Sequence, residues 1–559
     1  MHSNVGAGVA VSRRWQQCQS CGSSKGYLLA RPEPRLSSAS MKVPLTINDH
    51  LRRAEELYPR RVAVIDEPDQ PATSWGSFTY AEMAQKGRAM AAGLDALGIG
   101  VGERVAMVSH NSARLLTALF GVSGSGRVLV PVNFRLVAEE VKYIVAHSGA
   151  RVLLVDPELE SAMATVACER TYVIGERADA ELVRFGIEPE PWAGDEDATA
   201  TINYTSGTTA RPKGVELTHR NLWLNSAVFG WQLGVTDRDV YLHTLPQFHC
   251  NGWGLLYSVT AMGGRHIILR KVDGAEILRR VEQHGVTLMC GAPAVANMIL
   301  DAAQTWDGPI PGRGRVRLVV AGAPPPTRTI ERIETELGWE LIQIYGLTET
   351  TPLLTMNRGR AETDALTPGE RASRLSRAGG AALGVQIRIS DQGEVLARGN
   401  HIMGGYWQQP EATADAIKPA ADDPDGPEWF HTGDGGLLDA EQYVTILDRK
   451  KDVIISGGEN VSSIEVEDAL FSHPDVNEVA VIGVPDEKWG ELVMALVVTA
   501  PGSPLTAEEL IAYCKVKLAG YKCPKRIEFR ESLARTATGK LQKFKLREPY
   551  WAGQVKQVN

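Results

Sequence analysis

Short apolar runs alternate with longer amphipathic stretches along most of this 559-residue chain. Apolar runs predict buried strands, and apolar positions three or four residues apart predict helices. The pattern predicts strands over 61–65, 104–109, 150–155, 200–204, 266–269, 286–290 and 316–321, with an Ala-rich amphipathic helix over 80–97. Strands spaced in this way, with helices between them, are typical of an α/β protein whose sheet is largely parallel.

The pattern changes near Asp448. A strand over 444–447 is followed by a Lys/Arg cluster and by the pair Gly457-Gly458, and the remainder shows two helical patterns and a strand over 479–484. We therefore predict a large domain over 41–449 and a small α+β C-terminal lid over 450–559. Residues 1–40 are rich in Ser and Gly. Their composition faintly resembles a transit peptide, but a disordered extension or an alternative start at Met41 is the favoured interpretation.

Bulk composition narrows the class of protein. Hydrophobic residues make up 43% and charged residues 23% of the chain, as in an ordinary globular protein. The formal net charge of −8 argues against a nucleic-acid partner, which needs a cationic surface. No apolar run reaches the length of about 18 residues that indicates a membrane span.

The seven cysteines are scattered, which favours reduced thiols and a cytoplasmic location. Cys18 and Cys21 form a single C-x-x-C, which is a weak zinc or redox signal.

The segment YTSGTTARPKGV, residues 204–215, is the strongest candidate for chemistry. It is rich in hydroxyls and glycine, follows a predicted strand and contains Lys213. Successive backbone N–H groups in such a turn form an anion site, although the order of residues is not that of a Walker loop. Composition alone also fits a flexible surface loop.

Four further motifs follow in order: QIYGLTET (343–350), HTGDGG (431–436), DRKKDVIISGGENVSSIEVE (448–467) and RTATGKLQK (535–543). Together with the first segment they resemble the adenylate-forming, or AMP-binding, superfamily in its acyl-CoA synthetase branch. The resemblance runs from about residue 45 to about residue 548. It implies an α/β multidomain fold, with layered mixed sheets and helices in a large N-terminal adenylate-forming domain and a small mobile α+β lid. It also implies an ATP-dependent ligase that converts a carboxylic acid to acyl-AMP and then to acyl-CoA, with ATP, Mg²⁺ and coenzyme A.

The resemblance gives each motif a role at the nucleotide. The residues that would hold the β- and γ-phosphates are Thr205, Ser206, Gly207, Thr208, Thr209 and Lys213. The residues that would contact adenine are Tyr345 and Gly346 on one face and Gly322, Ala323 and Pro324 on the other. The ribose would be bound by Asp434 and Arg449.

Three residues of these motifs would act at the reacting groups. Thr348 would contact the α-phosphate, and Glu349 would hold Mg²⁺, which prefers carboxylate and phosphate oxygens. Lys540 would be the catalytic lysine, because a cation stabilises the negative charge that builds up at the α-phosphate. From the residues alone, a solvated acid is the preferred interpretation of Glu349, and Lys540 could be a surface lysine, as most lysines are.

The lid motifs would serve the second half-reaction. Lys451 matches the hinge position of the family, and one residue there would absorb the rotation of the lid. The residues that would approach coenzyme A are Ser456, Gly457, Gly458, Glu459 and Asn460. Over 515–547 eleven Lys/Arg stand against two Glu, which fits a cradle for the phosphates of coenzyme A or an ordinary solvated face.

The segment LPQFHCNGWG, residues 245–254, matches the acyl pocket of the family. The candidate pocket residues are Phe248, His249, Trp253, Cys290 and Gly291. No acidic residue stands beside Phe248, and a buried ammonium without a counter-charge is costly, so the segment argues against an α-amino acid. An apolar acid of short to medium length is expected, with aryl and methylthio acids included.

Three alternatives stay open at this point. The chain could be an acyl-AMP ligase that loads an acyl carrier protein, a luciferase-like oxygenase, or a non-catalytic acid-binding homologue. The sequence also leaves a homodimer open.

Overall fold

The structure is a computed structural model that describes residues 41–205, 211–449, 452–456, 459–486, 489–536 and 540–552. Its helices are α1 (Asn48–Leu57), α2 (Tyr80–Ala96), α3 (Ala113–Gly121), α4 (Ala138–Ser148), α5 (Glu160–Met163), α6 (Glu176–Leu182), α7 (His219–Leu233), α8 (Leu255–Met262), α9 (Gly274–His284), α10 (Pro293–Ala303), α11 (Thr327–Arg332), α12 (Pro368–Leu375), α13 (Pro410–Ala416), α14 (Ser463–Phe471), α15 (Ala507–Lys517) and α16 (Lys543–Trp551).

Its strands are β1 (Val62–Ile65), β2 (Ser77–Thr79), β3 (Arg104–Val108), β4 (Val128–Val132), β5 (Ala150–Val155), β6 (Arg170–Val173), β7 (Thr199–Thr205), β8 (Lys213–Thr218), β9 (Val240–Leu242), β10 (Arg265–Ile267), β11 (Leu288–Gly291), β12 (Arg317–Val320), β13 (Glu340–Gly346), β14 (Leu353–Asn357), β15 (Gly379–Ala381), β16 (Val385–Ile389), β17 (Glu394–Gly399), β18 (Gly405–Tyr406), β19 (Ile417–Ala420), β20 (Asp423–Leu438), β21 (Tyr443–Arg449), β22 (Ile454–Ser456), β23 (Glu459–Val461), β24 (Val476–Asp486), β25 (Gly490–Thr499) and β26 (Arg526–Phe529).

The strands form three sheets. The first has the order β16-β17-β20-β21-β15-β14-β13-β12-β11-β9-β10-β1-β2, with β19 on β20. The second has the order β18-β8-β7-β4-β3-β5-β6, and the third has the order β23-β22-β25-β24, with β26 on β25. The prediction of a largely parallel sheet holds for the run from β13 to β1 and for the run from β7 to β6. The remaining pairings in these two sheets are antiparallel, so the fold is mixed.

Burial on both faces explains why the sequence shows the central strands as continuous apolar runs. All five residues of β4 are buried, as are the last four of β3. Parallel strands covered by helices on both sides have this pattern, whereas strands with one solvent-exposed face alternate between apolar and polar residues. Helix α3 is buried along its whole length, and Ser112 caps its first turn by accepting a hydrogen bond from the backbone N–H of Leu115.

The third sheet and helices α14, α15 and α16 form the C-terminal lid. Its core contains Val466, Val481, Val497 and Leu510, all fully buried. The structure has three helices here where the sequence pattern gave two. Helix α16 was missed because it is rich in basic residues, has no buried residue and contains Pro549. In the described residues every helix is too short or too polar to cross a bilayer.

Candidate active site

The ends of β12 and β13 bring the candidate adenine residues together. The two strands are parallel and pair Val320 with Gln343, so Gly322, just past the end of β12, lies at the level of Tyr345 near the end of β13. Ligands of parallel sheets bind at this carboxyl edge. Gly322 has a φ of +88°, a left-handed conformation that glycine adopts without strain.

Tyr345 and Asp434 are joined directly. The Tyr345 hydroxyl donates to Oδ2 of Asp434 over 2.8 Å, and Asp434 is only 6% exposed. The predicted adenine and ribose residues are therefore neighbours, although 89 positions separate them. Arg449 lies opposite Asp434 in the pairing of β20 with β21.

Gly346 makes the turn after β13 feasible. A Cβ atom at this position would lie 1.6 Å from the carbonyl oxygen of Pro352, so no other residue fits. The chain folds back here through Thr348 and Glu349. The backbone oxygen of Glu349 accepts from the N–H of Met403 over 2.8 Å, which fixes the turn.

Tyr406 links the candidate metal ligand to the candidate phosphate lysine. Its hydroxyl donates to Oε1 of Glu349 over 2.9 Å, and Nζ of Lys213 lies 4.6 Å from the centre of its ring. The contact follows from the second sheet, in which β18 pairs with β8 and sets Tyr406 opposite Val215. Burial first, and then the Glu349 carboxylate, raises the pKa of Tyr406, so its hydroxyl stays protonated and donates.

The phosphate segment is closed at its base by β7 and β8. Thr205 pairs with Lys213 in their antiparallel register, which places both predicted phosphate residues side by side. Ser206, Gly207, Thr208 and Thr209 lie outside the described residues.

The candidate acyl pocket contains a left-handed turn. From Cys250 to Gly254 every φ lies between +44° and +76°, although Cys250, Asn251 and Trp253 are not glycine. Each such residue costs roughly 1–2 kcal/mol, so the surrounding structure must hold the turn in place. Asn225 contributes by donating from Nδ2 to the carbonyl oxygen of Trp253 over 3.1 Å.

Apolar side chains surround this turn. Phe248, Cys250 and Trp253 are 7%, 2% and 4% exposed. Cys290 and Gly291 are buried at the end of β11. This strand neighbours β9, which leads into the pocket segment. A Cβ atom on Gly291 would lie 3.0 Å from Cβ of Val295, so the backbone is close to α10 there.

Lys540 lies close to His249. Burial first, and then the positive charge of Lys540, lowers the pKa of His249 to about 4. The imidazole is therefore neutral near pH 7, and the ammonium group is within electrostatic range of this residue of the candidate acyl pocket. The lysine is held by Thr536, whose Oγ1 accepts from the backbone N–H of Lys540 over 3.0 Å.

Hydrogen bonds join the lid to the large domain. The backbone N–H of Thr327 donates to Oδ1 of Asp468 over 2.9 Å, and Arg328 donates to the carbonyl oxygen of His473 over 2.9 Å. Beside the predicted hinge, the N–H of Ser463 donates to Oδ2 of Asp448 over 3.1 Å. In this lid orientation the charge of Lys540 acts on His249.

The candidate coenzyme A residues lie on the paired strands β22 and β23. Ser456 is buried and pairs with Glu459, and Glu459 and Asn460 are exposed. Gly457, Gly458 and the candidate hinge Lys451 lie outside the described residues.

The sequence did not identify Tyr406 or Asn251. Tyr406 lies 57 positions from Glu349, and no motif joins the two. The available signal for Asn251 was its place among buried apolar neighbours such as Cys250 and Trp253, since a buried amide needs partners.

Comparison with known proteins agrees with the family resemblance. Residues 51–407 match the family model of the AMP-binding enzyme, and residues 465–540 match the AMP-binding enzyme C-terminal domain. The 2-methylpropanoate–CoA ligase CCL4 of Humulus lupulus is 35% identical, over 92% of this chain and 96% of that protein. The peroxisomal benzoate–CoA ligase of Arabidopsis thaliana is 32% identical, over 90% and 93%.

A solved structure shares the fold. The o-succinylbenzoate CoA synthetase of Bacillus subtilis, in complex with its acyl-adenylate intermediate, superposes with a TM-score of 0.75 at 29% identity. The match covers 89% of this chain and 97% of that one.

Proposed function

The chain belongs to the AMP-binding enzyme family and is an acid–thiol ligase, and we propose that its acid is a short- to medium-chain fatty acid or a related small apolar acid. The enzyme uses ATP to convert a carboxylic acid to acyl-AMP and then transfers the acyl group to coenzyme A.

The observation that carries the proposal is the uncharged turn at 248–254, in which Phe248, Cys250 and Trp253 are buried apolar residues. Its side chains offer an acyl tail apolar contacts, and the neutral His249 adds no charge. No carboxylate stands in this segment to balance an ammonium group, which argues against α-amino acids. The acids named for two relatives, 2-methylpropanoate and benzoate, are small and apolar as well.

In the proposed first half-reaction a carboxylate oxygen attacks the α-phosphorus, and the bond from phosphorus to the pyrophosphate oxygen breaks. Lys540 stabilises the charge that develops there, and its electrostatic effect on His249 of the candidate acyl pocket supports this role. Thr205 and Lys213 bind the outgoing phosphates, and Tyr345 and Asp434 orient the adenosine.

Glu349 fits a magnesium ligand. Mg²⁺ is usually held by one or two carboxylates together with substrate phosphates and water. In the described part of the chain no three His, Cys, Asp or Glu side chains cluster as a metal site, so a metal here would need nucleotide oxygens as ligands. When bound, the ion would neutralise phosphate charge, and Tyr406 would orient the carboxylate that holds it.

For the second half-reaction we propose that the lid, with its boundary at 449/450, rotates about Lys451. Lys540 would then leave the pocket, and the Ser456–Asn460 hairpin would approach it with the thiol. The thiolate attacks the acyl carbonyl carbon, and the bond to the AMP oxygen breaks. Rotation is proposed because Lys540 and the hairpin would serve two different half-reactions at the same acyl group.

A cytoplasmic location is part of the proposal. Cys168, Cys250, Cys290, Cys514 and Cys523 are all free thiols. Disulfides are rare in the cytosol, so this state fits a reducing compartment.

The test is an adenylation screen in which hydroxylamine traps acyl-AMP, with acids from acetate to palmitate, benzoate and several α-amino acids. We expect the highest kcat/KM among small apolar acids, with Lys540→Ala as the blank. A maximum for palmitate or for an amino acid would contradict the proposed class. Adding coenzyme A and following acyl-CoA by mass spectrometry separates this ligase from one that loads a carrier protein.

A further inference from the structure

Three buried side chains form a closed ring of hydrogen bonds. Nδ2 of Asn251 donates to Oγ1 of Thr201 over 2.9 Å, and that hydroxyl donates to Oδ1 of Asn203 over 2.8 Å. Nδ2 of Asn203 donates to Oδ1 of Asn251 over 3.1 Å and closes the ring. The three residues are 0%, 0% and 2% exposed in the order Asn251, Thr201, Asn203. Each side chain donates once and accepts once within the ring, so removing one breaks two bonds.

The ring joins two parts of the active site. Thr201 and Asn203 project from one face of β7, because they are two positions apart on a strand. This strand ends at Thr205, where the phosphate segment begins. Asn251 belongs to the left-handed turn of the acyl pocket, and Asn203 also donates to the carbonyl oxygen of Phe248 over 3.3 Å. The ring therefore fastens the pocket wall to the strand that carries the phosphate segment.

Local backbone preference does not account for the turn. Asparagine adopts positive φ more readily than most residues, which would explain Asn251 by itself. Cys250 and Trp253 also adopt positive φ, at 44° and 60°, without that preference. External restraints must hold them. Asn225 binds the carbonyl oxygen of Trp253, and the ring holds Asn251, which lies between the two residues in sequence.

We propose that Asn251 is a positioning residue that sets the size selectivity of the acyl pocket by holding the Cys250–Trp253 turn against β7. This inference rests on the proposed acyl pocket. Without the ring the turn relaxes, the pocket accepts larger acids, and the carboxylate of a small acid is held less accurately at the α-phosphate. Accurate placement matters because a shift of about 1 Å can cost on the order of 100-fold in rate.

The test compares Asn251→Ala, Asn251→Gly and wild type in the adenylation screen. Both variants lose the ring, but glycine adopts the left-handed turn without strain. We expect kcat for the best acid to fall about 10- to 100-fold in both. The preference for that acid over one two methylenes longer should fall about tenfold. KM for ATP should stay within about twofold.

Ser123→Ala is the matched control. Ser123 is fully buried, and its Oγ donates over 2.7 Å to the carbonyl oxygen of Ala200, so the variant also removes a buried hydrogen bond to β7. It does not touch the ring, and its acid preference should equal that of wild type. An equal shift of preference in Ser123→Ala would overturn the inference, because general loosening of β7 would then explain it.

Other outcomes distinguish the inference from the proposed function. If wild type activates no acid, the proposed function fails. If wild type is active and Asn251→Gly keeps the wild-type preference, the ring is not needed and the inference fails. Should Asn251→Ala not fold, Thr201→Val, which keeps the side-chain shape and removes one member of the ring, must show the same loss of preference.

Discussion

Replacing Tyr406 with phenylalanine tests whether Glu349 is held for its proposed task. The hydroxyl of Tyr406 donates to Oε1 of Glu349 over 2.9 Å, and the side chain is 9% exposed. Phenylalanine keeps the ring and its contact with Lys213, and it leaves the backbone pairing of β18 with β8 unchanged. The variant therefore removes one oxygen atom and one hydrogen bond.

The magnitude follows from the charge of the acceptor. A hydrogen bond to a charged group contributes about 1.5–3 kcal/mol. If the bond is needed to orient the carboxylate, kcat/KM for magnesium–ATP should fall about 10- to 150-fold. The concentration of Mg²⁺ at half-maximal rate should rise as well, because an unrestrained carboxylate binds the ion less well.

The assay is acid-dependent exchange of ATP with pyrophosphate, measured at saturating acid while ATP and Mg²⁺ are varied separately. Tyr406→Leu is the companion variant, which loses the hydroxyl and also the ring beside Lys213. The lost cation–π contact contributes about 0.5–2 kcal/mol, so its kcat/KM should fall by a further factor of about 2–30. A Tyr406→Phe enzyme within twofold of wild type in both constants would refute the reasoning.

Three further predictions concern the lid and the buried histidines. Lys540→Ala should lose on the order of 10²–10³ in adenylation rate but retain thioester formation from supplied acyl-AMP, and equal loss in the two half-reaction assays would contradict this division. Lys451→Pro should form acyl-AMP and pyrophosphate and then fail to make acyl-CoA in a single-turnover assay, because proline fixes φ near −65°; full thioester formation would mean that no rotation occurs at this residue. Burial lowers the pKa of His50 to about 4 and that of His266 to about 3. Below pH about 6.5 the unfolded chain therefore binds more protons than the folded protein. The free energy of unfolding should be highest above that pH and should fall toward pH 4 by up to about 1.4 kcal/mol per pH unit for each ring. A melting temperature that stays constant from pH 7.5 to about 5 would contradict it.

The central strands could be predicted from the sequence because they are buried on both faces and therefore appear as continuous apolar runs. Strands such as β5 and β12 are covered on both faces, so nearly every residue is apolar. Strand β4 was not predicted, although it is buried in the middle of the second sheet, because it contains Pro131. A proline argues against a central strand, since it cannot donate to the ladder.

In the candidate site, too, some residues could be predicted from local sequence and others could not. The resemblance selected Tyr345, Asp434, Glu349 and Lys540 from local motifs, and the structure sets Tyr345 against Asp434 as the motif roles require. It did not select Tyr406 or the ring of Asn251, because those contacts join side chains about 50 positions apart in sequence. Such pairings depend on sheet order and register, and no local pattern encodes them.

The hydrogen bonds between the lid and the large domain have a consequence for the resting enzyme. Two of them join Thr327 to Asp468 and a third joins Arg328 to His473, and these three must break if the lid rotates. At about 1 kcal/mol each, they favour the present orientation by roughly 3 kcal/mol, a ratio of about 150 to one. Fewer than about one molecule in a hundred would then be in the rotated state before any substrate binds. Between turnovers the enzyme would then be in the orientation that binds ATP and acid. Coenzyme A would bind last, after acyl-AMP has replaced the reactants that favour the first orientation.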